Sequence, residues 1–261
     1  MKRTMSVAGS FYPDNKEEIE DYYQYFNKVY DKHFTLGDEK SRMVIVPHAG
    51  YVYSGFTANA AYRILQNSDL KRFVVIGPSH RIPFTGISLC DYEEYETPFG
   101  TLKGDQKIVK ELEENFALEC LAAAHREHST EVQFPFIKYY IPDASVVELV
   151  YSDIRPDTIS AIIDYLLKQE DIGIIISTDL SHFYSLEKAN SLDHICIDAI
   201  KTLDIEKLYL GCEACGKIGV EAAMNSASKR MLKADIIDYR TSADVSNDTD
   251  SVVGYVSAYF T

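Results

Sequence analysis

Apolar residues along the chain fall into two rhythms. Met43-Val44-Ile45-Val46, Phe73-Val74-Val75-Ile76, Val146 to Val150 and Ile172-Gly173-Ile174-Ile175-Ile176 are short, β-branched and almost uninterrupted by polar residues. Such runs, bounded by Gly, Pro or polar turns, predict strands buried on both faces, as in parallel sheets. Between them the apolar positions recur at helical spacing. Ile19, Tyr22, Tyr23, Phe26 and Tyr30 mark a helix from about Lys16 to Lys32, with an aromatic core stripe and His33 at its end. Further helices are expected over Gly55 to Gln66, Gln106 to Asn115, Gln133 to Tyr140, Pro156 to Leu167, Leu186 to Leu203 and Gly219 to Leu232. Ile87 to Cys90, Ala234 to Val245 and Val252 to Phe260 read as strands, and Thr97-Pro98-Phe99-Gly100 as a turn. Alternation of this kind predicts an α/β protein with a central, largely parallel or mixed sheet flanked by helices. No linker, repeat or low-complexity stretch divides it, so a single domain over residues 1–261 is expected.

Polar chemistry collects just past the strand ends. Pro47-His48-Ala49-Gly50-Tyr51 follows the first buried run, Gly77-Pro78-Ser79-His80 the second, and Ser177-Thr178-Asp179-Leu180-Ser181-His182 the run ending at Ile176. With Gly55 to Gln66 as a crossover helix, His48 and His80 are expected at adjacent carboxyl strand ends, the edge where open α/β sheets bind ligands. A further cluster, His125, Glu127, His128, Ser129 and Glu131, precedes the Gln133 helix, and part of it has a structural explanation, because Thr130 and Gln133 have capping-box spacing. Cys215 sits just ahead of a predicted helix, where the dipole favours thiolate. His48, His80 and Cys215 would form a three-ligand site with open positions, suited to copper(I), zinc or ferrous iron rather than magnesium or calcium. Asp179 and His182 read either as a general acid/base pair or as a strand-end turn that caps the next helix.

The net charge of −14 argues against nucleic-acid and anionic-membrane partners, which require clustered Lys and Arg. No apolar span reaches membrane length and no signal-like segment follows Met1, so a soluble, cytoplasmic protein is expected. Five cysteines, at 90, 120, 196, 212 and 215, are odd in number and scattered, which predicts mostly reduced thiols, with Cys90, Cys120 and Cys196 as inert packing residues. Cys212 and Cys215 also make a Cys-x-x-Cys, but no second pair completes a structural zinc site.

Together, Ala8-Gly9-Ser10-Phe11-Tyr12-Pro13, the His48, His80 and Asp179–His182 segments, Glu127-His128-Ser129-Thr130-Glu131-Val132-Gln133 and Cys215-Gly216 resemble, in order, the Memo (AmmeMemoRadiSam system protein B) family across essentially the whole chain. The resemblance implies a fold related to class III extradiol dioxygenases, in which two histidines and a glutamate hold ferrous iron. In Memo-like proteins a cysteine replaces that glutamate. Carried over, the metal ligands are His48, His80 and Cys215, His182 takes the acid/base position beside Asp179, and His128, Glu131, Ser79 and Tyr51 belong to the surrounding pocket. Lys217-Ile218-Gly219 departs from the Gly/Arg-rich turn with a proline that is common there, which leaves the start of the following helix open.

Exchange of a hard carboxylate for a soft thiolate changes metal preference and redox behaviour, so dioxygenase activity does not come with the fold. The leading expectation is a redox protein with nonheme iron(II) or copper(I) acting on a small-molecule substrate or a peptide, with zinc as a further candidate ion for the site. A non-catalytic protein holding a metal or a peptide in the same pocket is the alternative. A zinc hydrolase is a third reading, without a His-Glu-x-x-His helix to support it.

Overall fold

A computed structural model describes residues 1–261. The strands are β1 (Lys2–Arg3), β2 (Met43–Val46), β3 (Arg72–Pro78), β4 (Ile87–Leu89), β5 (Glu94–Thr97), β6 (Gly100–Gly104), β7 (Ser145–Tyr151), β8 (Ile172–Ser177), β9 (His182–Tyr184), β10 (Ala234–Thr241) and β11 (Val252–Phe260). The helices are α1 (Lys16–His33), α2 (Tyr51–Asn67), α3 (Gln106–Asn115), α4 (His128–Glu131), α5 (Gln133–Tyr140), α6 (Pro156–Leu166), α7 (Leu186–Thr202), α8 (Ile205–Leu208), α9 (Lys217–Lys229) and α10 (Ala243–Ser246).

One mixed sheet runs through the molecule in the order β1-β5-β6-β7-β3-β8-β2-β11-β10, with β4 on β7 and β9 on β11. Its centre, β7-β3-β8-β2, is parallel, while β11 and β10 continue it antiparallel. The four central strands are buried on both faces, as their unbroken Val and Ile runs require. One apolar layer packs α3, α6, α7 and α9 against the sheet. The other, rich in Tyr and Phe, packs α1, α2 and α5 on the opposite face. This is the expected α/β architecture, and it is consistent with a dioxygenase-like fold.

The strand order corrects one expectation. His48 and His80 do not follow neighbouring strands, because β8 lies between β2 and β3, pairing Val46 with Ser177 on one side and Ile76 with Ile176 on the other. All three strands are equally apolar, so their order is invisible to periodicity. The consequence is helpful to the site, since the end of β8 inserts Ser177 and Asp179 between the two histidine turns.

Other boundaries moved for local reasons. Thr130 and Gln133 do not form a capping box. Glu127 caps α4 by accepting the amides of His128 and Ser129, Thr130 Oγ1 donates to Glu148, and the Gln133 amide reaches Pro47. The strand predicted to continue to Val245 ends at Thr241, whose amide donates to Asp244 Oδ2 at 2.8 Å as α10 begins. β5, β6 and β9 escape a search for apolar runs, being short and without consecutive aliphatic residues. α9 starts at Lys217, directly after Cys215 and Gly216, which settles the helix start left open above.

Two disulfides overturn the expectation of reduced, inert thiols. Cys90 pairs with Cys120, and Cys196 with Cys212, leaving Cys215 as the free thiol. The first pair is brought together because the Leu89 amide donates to the Glu119 carbonyl at 3.1 Å, laying the 117–121 segment beside β4. The second ties α7 to the loop after α8 and takes Cys212 out of any pairing with Cys215. No helix is long and apolar enough to cross a membrane.

Candidate metal centre

His48 leaves the end of β2 with its ring almost wholly buried. Its orientation follows from hydrogen-bond accounting at Ser177. The Ser177 hydroxyl donates to the Ser129 carbonyl and receives the Gln133 amide at 3.0 Å, so toward His48 Nδ1, 2.9 Å away, it can only accept. The Gln133 amide is itself oriented, since its oxygen takes the Tyr62 hydroxyl at 2.8 Å and its nitrogen also donates to the Pro47 carbonyl. His48 is therefore protonated at Nδ1 and presents the lone pair of Nε2. That atom lies 3.3 Å from Cys215 Sγ.

His80 and His128 complete the convergence. The three imidazoles His48, His80 and His128 offer ligand atoms within 4.8 Å of one another, with ring centroids 4.6 to 5.3 Å apart. Nδ1 of both His80 and His128 faces the same oxygen, Glu127 Oε1, at 3.1 and 2.8 Å. Each ring then turns Nε2 away from Glu127, that of His80 toward the Cys215 sulfur. Metal-binding histidines are held in this way, one nitrogen on an outer acceptor and the other on the ion. His80 and His128 are partly open to solvent, whereas His48 and Glu127 are closed off.

Cys215 is placed by the backbone around the end of β8. Its amide donates to the Asp179 carbonyl at 3.2 Å, and the Asp179 amide points back at Sγ from 3.3 Å. Gly216 makes that approach feasible, because a Cβ there would stand 2.7 Å from the Ser177 carbonyl oxygen. Asp179 uses Oδ1 to accept the His48 amide at 2.7 Å, and Oδ2 lies 4.0 Å from His48 Nε2. His182 stands in β9, half-buried, and a charge on it would favour the Asp179 carboxylate.

Not every predicted pocket residue faces this cluster. The Glu131 carboxylate is turned to the amino-terminal segment, taking the amides of Ser6 and Val7, the Ser6 and Tyr12 hydroxyls and the Arg3 guanidinium. Tyr51 donates its hydroxyl to the Val132 carbonyl, and Ser79 donates its own to the Ile82 carbonyl. His125, prominent in the sequence cluster, is buried between Glu148 and Ser88. Sequence reasoning passed over Ser177, Gln133 and Glu127 as site residues. Only the acidic side chain between two histidines gave a signal that could have drawn notice.

Burial and the neighbouring charges shift the groups of the cluster in different directions. Burial, with His80 and His128 beside it, pushes His48 well below the usual imidazole value. Burial also pulls His80 down, but the Cys215 sulfur and Glu127 outweigh it and raise His80 to about 10. Glu127 is held well below the usual carboxylate range, its burial overcome by hydrogen bonds from His128 and His80. Burial raises Asp179. A borderline or soft divalent ion fits this donor set, since three imidazoles converge over a buried carboxylate with the Cys215 thiol beside His48.

The comparisons agree with these motifs. A family model described as Memo-like protein matches residues 3–259. A MEMO1 family protein of Thermoplasma acidophilum is 34% identical over 269 residues, covering 98% of each chain. One from Methanobrevibacter smithii is 35% identical over the full length of both chains, and one from Aquifex aeolicus is 33% identical over 99% of this chain and 98% of its own.

Proposed function

Because the chain belongs to the Memo-like family, we propose that it is a metal-binding protein in which His48, His80 and Cys215 hold iron(II) or copper(I) for redox reaction with a small molecule or peptide, zinc being the redox-inert alternative at the same site. The observation that carries this reading is the 3.3 Å approach of Cys215 Sγ to a His48 Nε2 whose other nitrogen is already committed to Ser177. When bound, such an ion supplies electron transfer or Lewis acidity at neutral pH.

The chain's own residues provide the rest. Gln133 and Ser177 fix the His48 tautomer, and the Asp179 main chain holds the sulfur on both sides. His182, near the cluster yet half-open to solvent, is placed to carry a proton between a bound molecule and water. The exposed side of His80 and His128 is the route by which a substrate approaches.

A second reading, metal holding without turnover, is favoured by His128. As a fourth donor it would close a tetrahedral set of the kind found in structural sites. The two are separated by elemental analysis of protein purified without oxygen, on the parent chain and on Cys215→Ser, followed by oxygen consumption with candidate catechols. Near-stoichiometric iron or copper that falls sharply in the variant supports the centre. Oxygen uptake that is abolished by His182→Ala with metal content intact supports the redox enzyme, and its absence supports the holding role. No metal in either chain sinks the metal reading.

A further inference from the structure

We propose that Glu127 is the positioning residue of the imidazole cluster and the buried counter-charge for the cation held there, an inference that rests on the metal-binding reading above. Its side chain is fully buried. The other two buried glutamates nearby, Glu131 and Glu148, share the Arg3 guanidinium. The Glu127 carboxylate has no Lys or Arg partner. It meets only the His80, His128 and Ser129 amides and the Nδ1 atoms of His80 and His128. A carboxylate taken out of water in this way needs a positive charge close by, and the two imidazoles lead directly to the place where an ion would supply it.

The geometry also explains why a single carboxylate serves two rings. Oε1 takes both Nδ1 atoms, so both histidines are held as Nδ1–H donors with Nε2 presented outward, while Oε2 takes the His80 amide at 2.7 Å and fixes the turn that carries the ring. Glu127 is in turn immobilised. Arg3 Nη2 donates to its carbonyl at 3.3 Å, and Ser129 Oγ donates to the Pro78 carbonyl at 2.7 Å, locking α4 against the end of β3. Removing the carboxylate would release both rings at once, which no other single side chain in the cluster does. Glutamine keeps the volume but must turn its NH2 toward at least one of the five N–H groups that the carboxylate meets.

The test uses the full chain, stripped of metal, with zinc and cobalt(II) as probes. Glu127→Gln is expected to weaken zinc by about 10- to 100-fold and to change the cobalt(II) ligand-field bands, while the sulfur-to-cobalt charge-transfer band persists. Cys215→Ser is expected to lose that band. If the parent shows the band but Glu127→Gln matches its zinc affinity within about twofold and its cobalt spectrum, the Glu127 role is overturned and the metal site stands. If the parent binds neither ion, the underlying reading fails and this inference with it. Should Glu127→Gln not fold, proton NMR of the zinc-loaded parent decides: slowly exchanging, downfield Nδ1 protons on both His80 and His128 support the clamp, and their absence refutes it.

Discussion

Arg3 offers the sharpest test of how this region is held together. Its guanidinium is buried and bonds Glu131 at 3.0 Å, Glu148 at 3.3 Å and the Glu127 carbonyl at 3.3 Å, so it neutralises two carboxylates that are 1% and 0% exposed. Arg3→Met keeps the aliphatic length but removes the guanidinium that both acids share, leaving Glu148 with only His125 beside it. Removing one partner of a buried ion pair costs about 3 to 5 kcal/mol. For a chain of this size that corresponds to a fall of roughly 5 to 9 °C in Tm. The pH dependence has a definite sign. Burial opposes ionisation of Glu148, but the Arg3 charge outweighs it and lowers its pKa, so in the parent this group adds stability above the unfolded value, near pH 4.5, which is lost as pH falls through the folded value. In Arg3→Met the largest of the influences that lower it is gone while burial still opposes its charge, so acidification relieves part of the defect. The deficit, measured by urea unfolding at pH 7 and pH 5, should therefore narrow at the lower pH. A loss below about 1 kcal/mol at pH 7, or a deficit that widens on acidification, would refute the account of a charge network that depends on Arg3.

Three further outcomes are expected. Gly216→Ala places a Cβ against backbone at 2.7 Å, which cannot swing aside, so it should cost about 1 to 3 kcal/mol in urea unfolding and weaken metal retention by displacing Cys215. An unchanged stability would mean that the close approach is dispensable. Replacing Cys196 and Cys212 together by serine frees a loop with a sequence separation of 16 and should lower stability by about 3 kcal/mol, read against the parent with and without reductant. Reductant insensitivity of the parent would argue that this bridge does not form. Gln133→Leu removes one of the two hydrogen bonds that orient the Ser177 hydroxyl, so NMR of the zinc-loaded variant should show the His48 Nδ1 proton exchanging faster, and a signal as long-lived as the parent's would show that donation to the Ser129 carbonyl suffices to orient Ser177.

The amino-acid sequence by itself determined the class of fold, the four buried strands at the centre, most helix limits, and the placement of His48, His80, Asp179 and Cys215 beyond strand ends or before a helix. Those features are local. Hydrophobic period, Gly and Pro punctuation and residue type at a turn are written within a few neighbours, and the family motifs are written the same way. The tertiary structure alone decided that β8 enters between β2 and β3, because strands of equal apolarity carry no label for their order. It alone paired Cys90 with Cys120 and Cys196 with Cys212, since pairing depends on which segments fold side by side. It also turned Glu131 and His125 away from the histidines and brought Glu127, Ser177 and Gln133 to them. A side chain's role in such a cluster is fixed by the hydrogen-bond donors and acceptors that surround it, and those come from residues up to 167 positions away, as in the His48–Cys215 contact.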